Sequence, residues 1–146
     1  MSVNLRFFLD PALKAEGIEF TPPRQGDAGF DLRAAETVTI PAGEQVLIPT
    51  GLRVAIPLGF VGLLRDRSST ALKRLYTHAG VIDAAYRGEI KVVVSNGGRE
   101  QLLIEKGQRI AQMVVVPCLT QSSEAASLEE LGLTDRGGGG FGSTGS

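Results

Sequence analysis

TVTIPAGEQVLIPTGLRVAIPLGFVGLLRDRSS, residues 37 to 69, is the stretch whose reading decides the fold. Apolar side chains alternate at Val38/Ile40, Val46/Ile48 and Leu52/Val54/Ile56, the period-2 pattern of half-buried strands. Pro and Gly separate the runs and supply the turns. The same texture returns in GEIKVVVSNGG, QLLIEKG and QRIAQMVVVPC, between residues 88 and 118. Many short strands with almost no helical periodicity predict an all-β fold, a jelly-roll-like barrel or sandwich. Two segments break the texture. SSTALKRL, residues 68 to 75, predicts a short helical turn capped by Ser68 or Ser69. SSEAASLEELGL, residues 122 to 133, reads either as weakly helical or as a polar connector.

The 146 residues suit one domain and suffice to bury a core. A net charge of −1 argues against a general nucleic-acid or membrane-surface binder, so any phosphate site must gather its arginines locally. The single cysteine, Cys118, excludes an internal disulfide, and its apolar neighbours predict a buried thiol. MSVNLRFFLDPALKAEG at the N-terminus has no long apolar run, so no signal peptide is expected. No stretch approaches the roughly 20 apolar residues of a membrane span, and a cytoplasmic protein is the expectation. From Thr134 onward only Phe141 could join a core, and six of the 19 glycines lie at or after residue 137. The chain therefore divides into a β domain, residues 1–133, and a flexible C-terminal segment, residues 134–146.

Several segments carry groups suited to nucleotide chemistry. In RDRSST, residues 65 to 70, Arg67, the serine hydroxyls and free N–H groups at a helix start could hold a phosphate; a capped helix with a solvated arginine is the plainer reading. In GVIDAAYRGEI, residues 80 to 90, Val81 and Ile82 lead into a turn over Asp83–Gly88 and Ile90 leaves it, which predicts a β-hairpin. Asp83 is a candidate general base there and Tyr86 a floor for a sugar or base, with turn chemistry and cross-strand packing as the structural alternatives. In GDAGFDLRAA, residues 26 to 35, Asp31 could hold a hard cation or its water shell, or merely belong to a loop entering a strand. In GQRIAQMVVVP, residues 107 to 117, Arg109 and Gln112 interrupt a buried pattern and should meet partners, because unpaired buried polar groups are costly. His78, the only histidine, has no Cys or His partner at ligand spacing, which argues against zinc. The glycines of the tail match GxGxxG loosely, but no helix can follow them, which argues against a dinucleotide fold.

Taken in chain order, GDAGFDLRAA, RDRSSTALK, GVIDAAYRGEI and GQRIAQMVVVP, followed by RGGGGFGSTG at residues 136 to 145, resemble the five ordered motifs of the trimeric dUTPases. The resemblance runs from about Asp27 to Gly145. It implies a β jelly roll assembled as a homotrimer with active sites shared between subunits. It also implies hydrolysis of dUTP to dUMP and pyrophosphate with Mg²⁺, limiting uracil in DNA and supplying dUMP for thymidylate synthesis. Neither a nucleic acid nor a membrane is an implied partner. Asp31 falls where the family arranges the water shell of the metal, and Arg67, Ser68, Ser69 and Gln112 fall at the phosphates. Asp83 matches the residue that orients and activates the attacking water. Tyr86 matches the ring packed on deoxyribose, where a 2′-hydroxyl would be crowded. Uracil would be read by backbone groups of the 80-to-92 segment, with Gly80, Val81, Ile82 and Lys91 among the contacts. Arg136, Gly142, Ser143 and Thr144 match contacts of a tail that closes on the nucleotide, and Phe141 the ring that covers uracil. The tail is expected to order with nucleotide and to reach another subunit's site.

Three positions depart from the pattern. Ala85 stands where a polar residue is frequent, Ser69 where glycine is frequent, and Thr77–His78 where some members carry an asparagine near the base. Two other functions compete. The related dCTP deaminases share the fold but rely on a glutamate in the pocket, whereas Ala84 and Ala85 follow Asp83 here. A nucleotide sensor without turnover would need neither Asp83 nor the intact tail.

Overall fold

The computed structural model describes residues 4–142. The chain is all-β and jelly-roll-like. Its strands are β1 (Arg6–Leu9), β2 (Gly29–Arg33), β3 (Val38–Ile40), β4 (Gln45–Pro49), β5 (Leu52–Ala55) and β6 (Phe60–Arg65), then β7 (Leu75–His78), β8 (Val81–Ile82), β9 (Lys91–Asn96), β10 (Leu102–Ile104) and β11 (Arg109–Pro117). All ladders are antiparallel: β1 with β5, β3 with β10, a four-stranded sheet β2-β11-β6-β8, and a three-stranded sheet β4-β9-β7. Among the described residues no ladder joins two consecutive strands, so every sheet is closed by chain segments distant in sequence.

The alternation read from the sequence decides which side is buried. Ile40, Ile48, Ile90, Val92, Val94, Ile110 and Met113 are fully enclosed, each contributing roughly 1.5–3 kcal/mol on burial. Among the described residues every buried side-chain nitrogen and oxygen has a hydrogen-bond partner. Thr50 Oγ1 donates to the Ile90 carbonyl at 2.6 Å, and Asn96 Nδ2 donates to the carbonyls of Ile40 and Glu100. Helix α1 (Pro11–Ala15) is started by Asp10, whose carboxylate accepts the Ala12 N–H, and it buries Leu13.

Three expectations change, and the segment with two open readings takes the connector. Helix α2 (Ser68–Leu72) forms, but neither serine caps it. Arg67 holds the cap position, and Thr70 Oγ1 accepts its N–H at 3.2 Å while donating to its carbonyl at 2.9 Å. Ser68 and Ser69 fall inside the first turn. The hairpin expected over residues 80 to 90 does not form as a ladder: β8 pairs with β6, while β9 pairs with β4 and β7. The residues between them cross from one sheet to the other, which is why the apolar runs on either side of Asp83–Gly88 match without pairing. Between residues 122 and 133 only one 3₁₀ turn, Glu129–Leu131, appears. Cys118 is half-buried rather than buried, because β11 ends at Pro117 and the chain leaves the sheet there. No helix among the described residues is long and apolar enough to cross a membrane.

Candidate functional site

Register builds the first part of the site. Gln112 on β11 stands opposite Asp31 on β2 and, across its other edge, opposite Arg65 on β6. Their neighbours Leu32, Met113 and Leu64 point into the core. Asp31, Gln112 and Arg65 therefore form one row on the outer face, because alternate residues of a strand share a side. The β2–β11 register slips between Arg109 and Ala111, a β-bulge that turns Ile110 and Ala111 inward together. Arg109 is left outside, and its Nε comes to 3.3 Å from Asp31 Oδ2.

Asp31 also accepts from Arg67 Nε at 2.8 Å, so one carboxylate holds two guanidinium groups and the cluster keeps a net positive charge. Arg67 Nη1 donates to Ser69 Oγ at 3.2 Å. Gln112 Nε2 donates to the Asp66 carbonyl at 2.9 Å, and the Asp66 carboxylate accepts the Thr77 N–H at 2.6 Å. The absence of a side chain at Gly29 is what admits Gln112: a Cβ there would lie 2.1 Å from Gln112 Oε1. Asp27, Ala28, Gly29, Asp31, Arg67, Ser68 and Gln112 line an open cavity of about 330 Å³. The partners expected for Arg109 and Gln112 are thus Asp31 and Asp66, though Arg109 meets its partner at the surface rather than inside.

A second group lies apart. β8 is the edge strand of its sheet, so one side of its backbone has no ladder partner among the described residues. Leu63 faces Val81 and Gly62 faces Ile82, and Leu64 N–H donates to the Gly80 carbonyl at 2.8 Å. β8 therefore runs away from the Arg67 end of β6. At about 3.3 Å per residue, the five residues from Gly62 to Arg67 separate Ile82, and Asp83 beyond it, from the arginine by on the order of 15 Å. Asp83 is exposed, and its carbonyl accepts the Tyr86 N–H at 3.1 Å. The Tyr86 hydroxyl donates to the Glu89 carbonyl at 2.8 Å. Lys91 opens β9, opposite Pro49 in the other sheet.

The tail forms a third group. Arg136 Nε donates to the Gly139 carbonyl at 2.7 Å within its own loop, and Phe141 and Gly142 are exposed. Ser143 and Thr144 lie outside the described residues. One chain thus gathers Asp31, Arg67, Ser68, Ser69 and Gln112, while Gly80, Val81, Ile82, Asp83, Tyr86 and Lys91 belong to other segments, and among the described residues no hydrogen bond joins residues 134–142 to either group. Asp66, Gly29 and Glu89 carry no motif signal of their own. Asp66 stood between the two arginines of RDRSST, and a close approach at Gly29 is legible only once β2 and β11 are paired.

Among the described residues no three His, Cys, Asp or Glu side chains cluster as a metal cage. Mg²⁺ needs no such cage, since it keeps several waters and binds through one or two carboxylates plus substrate phosphates. Asp31, one of two carboxylates with Asp27 on a cavity that Arg67 also lines, fits that manner of binding.

A jelly roll with two guanidinium groups gathered on one carboxylate beside an open cavity suits an all-β protein with a polyanionic ligand. A sequence profile described as dUTPase matches residues 15–145. The deoxyuridine 5′-triphosphate nucleotidohydrolase of Candida albicans is 48% identical over 119 residues, covering 81% of this chain and 75% of that protein. Its counterpart from Rhizobium etli strain CIAT 652 is 46% identical over 138 residues, covering 89% and 87%. A point mutant of the Staphylococcus bacteriophage 80alpha dUTPase with dUpNHpp superposes with a TM-score of 0.82 at 30% identity, covering 99% of this chain and 100% of the other. A mutant dUTPase from phage phi11 of S. aureus, described with a structural Mg(II) ion, gives 0.76 at 28% identity, covering 87% and 99%. The chain belongs to the dUTPase family and is an enzyme of that class, a dUTP diphosphatase.

Proposed function

We propose that the protein hydrolyses dUTP to dUMP and pyrophosphate with Mg²⁺, in a homotrimer whose sites combine groups from more than one subunit. One observation carries the reading: Asp31, Arg67, Ser68 and Gln112 share a cavity, while Asp83 lies on the order of 15 Å away along the β6–β8 ladder. Hydrolysis needs both groups at one triphosphate, and a second copy of the chain can bring Asp83 to the cavity of the first. Closed rotational symmetry then repeats the site in every subunit.

Within such a site the chain's own residues divide the work. Arg67, oriented by Asp31 and Ser69, takes phosphate oxygens along with Ser68, Ser69 and the Gln112 amide. Asp31 would hold Mg²⁺ through its waters when the ion arrives with the nucleotide, and the ion would supply further charge neutralisation. This chemistry depends more on positioning and charge than on a strong base. Asp83, exposed at the end of β8, orients one water and accepts its proton as the bond between the first and second phosphates breaks. A positioned base of this kind contributes about 10²–10⁴-fold. The free edge of β8 offers backbone groups of Gly80, Val81 and Ile82 to the uracil edge, and Lys91 at the start of β9 adds a further contact. Tyr86 lies against the deoxyribose. Residues 134–146 act as a lid: Arg136, Gly142, Ser143 and Thr144 reach the phosphates, and Phe141 covers the base. The setting is the nucleotide pool of the cytoplasm, where this reaction limits uracil in DNA and feeds thymidylate synthesis.

The test is pyrophosphate release from dUTP, dCTP, dTTP and UTP, with and without a chelator. Release from dUTP alone, abolished by chelation and restored by Mg²⁺, is expected. Ammonia release from dCTP, or binding of dUTP without turnover, would overturn the reading.

A further inference from the structure

The segment carrying Asp83 and Tyr86 is fastened to the turn between β4 and β5. Gly51 N–H donates to Glu89 Oε1 at 2.8 Å, and Arg53 Nη1 donates to the Arg87 carbonyl at 3.0 Å. Thr50 Oγ1 donates to the Ile90 carbonyl at 2.6 Å, and Ile90 N–H donates to the Leu52 carbonyl at 2.7 Å. Residues 50–53 thus hold residues 87–90. Only one of these bonds uses a side chain of the held segment, that of half-buried Glu89.

The same residue holds the tyrosine. The Tyr86 hydroxyl donates to the Glu89 carbonyl, and its ring lies so close over Gly88 that a Cβ there would come to 2.3 Å from the phenol oxygen. The Glu89 backbone fixes where the ring lies, and the Glu89 carboxylate fixes the backbone to Gly51. Gly51 is itself packed closely: its φ is +66°, a Cβ on it would meet Leu13 Cδ1 of α1 at 2.4 Å, and its carbonyl accepts the Asp10 N–H at 3.0 Å. The chain of contacts runs from the buried side of α1, through Gly51 and Glu89, to the face of Tyr86.

We propose that Glu89 is a positioning residue for sugar selection. Its carboxylate holds the Tyr86 ring at the depth where deoxyribose fits and a 2′-hydroxyl does not. The inference rests on Tyr86 packing against the sugar. A ring free to retreat by about an ångström would make room for the hydroxyl, because close packing rejects added atoms only when the wall cannot move. Losing the tether therefore relaxes selection of deoxyribose more than it weakens the enzyme.

The experiment compares kcat/KM for dUTP and for UTP in the wild type, Glu89→Ala, Glu89→Gln, Glu89→Asp and Tyr86→Ala, with a thermal melt of each. Glu89→Ala is expected to lower the dUTP:UTP ratio about tenfold, as expected from loss of a hydrogen bond to a charged group. Glu89→Gln, whose amide oxygen still accepts from Gly51, should recover most of the ratio. Glu89→Asp, one methylene too short, should behave like alanine and replaces it if the alanine protein does not fold. Tyr86→Ala should lower the ratio at least as far. A shift in Tyr86→Ala with none in Glu89→Ala or Glu89→Asp overturns the role of Glu89 and leaves that of Tyr86 standing. No shift in Tyr86→Ala removes the sugar contact itself. A fall in Glu89→Gln as deep as in Glu89→Ala overturns the tether.

Discussion

Asp31 is held between two cations, and its effect falls on them rather than on stability. Its side chain is 35% exposed, and that of Arg67 is 25% exposed. Pairs this open to solvent contribute about 0–1 kcal/mol to folding. Without the carboxylate, however, Arg67 and Arg109 repel each other, and the guanidinium of Arg67 loses the 2.8 Å bond that aims it into the cavity. Asp31→Ala, which removes both acceptor oxygens, is therefore expected to lower kcat/KM for dUTP about 10- to 100-fold, the range for losing a hydrogen bond between charged groups. The melting temperature should move by no more than about 4 °C. Steady-state kinetics beside a thermal melt separates the two effects. Unchanged kinetics would remove Asp31 from the site, and a large drop in melting temperature would make it a structural residue instead.

β8 is only two residues long, yet its placement rests on one glycine. Gly80 has a φ of +90°, and a Cβ on it would lie 2.6 Å from Leu64 Cβ. Gly80→Ala combines backbone strain with a clash against the sheet and is expected to cost about 2–4 kcal/mol, read as a lower urea midpoint with an unchanged m-value. A midpoint within error of the wild type would show that the segment can shift without loss. The sequence made β8, β9 and most other strands legible, because alternation reports which residues of an extended run face water. It does not report which run pairs with which, so Val81–Ile82 and Ile90–Val94 looked like two arms of a hairpin and are strands of different sheets. The bulge at Ile110 was hidden for a related reason, since Ile110 and Ala111 are both apolar and either phase looked buried. The α2 cap was misplaced because two serines precede the threonine that closes it. Of the candidate site, the residues in ordered motifs were legible, whereas Asp66 and Glu89 act through bonds to backbone groups, which leave no residue-type pattern.

At the scale of the molecule, the absence of consecutive strand pairs among the described residues means that each ladder closes a long loop, as when β2 meets β11. Such non-local topologies fold slowly, in milliseconds to seconds. The same topology spreads the candidate groups: the Asp31–Arg67–Gln112 cluster and Asp83 occupy separate parts of one chain. If a site takes Asp83 from one subunit and the tail from another, two crippled proteins can repair each other. Asp83→Asn supplies an intact tail, and a chain truncated before Arg136 supplies an intact Asp83. Each alone should lose most of its turnover while still assembling. After equal mixing and confirmed subunit exchange, a site is whole when its Asp83 donor is the truncated chain and its tail donor is the substituted one. With random assembly of closed trimers, about a quarter of the sites meet both conditions, so activity should recover to roughly a quarter of the wild-type value. If one subunit supplied both groups to its site, no arrangement of the two proteins would be whole and nothing would recover. Pyrophosphate release before and after exchange distinguishes these outcomes. A recovered fraction near zero refutes the division of Asp83 and tail between subunits, whatever the intrinsic rate of the enzyme.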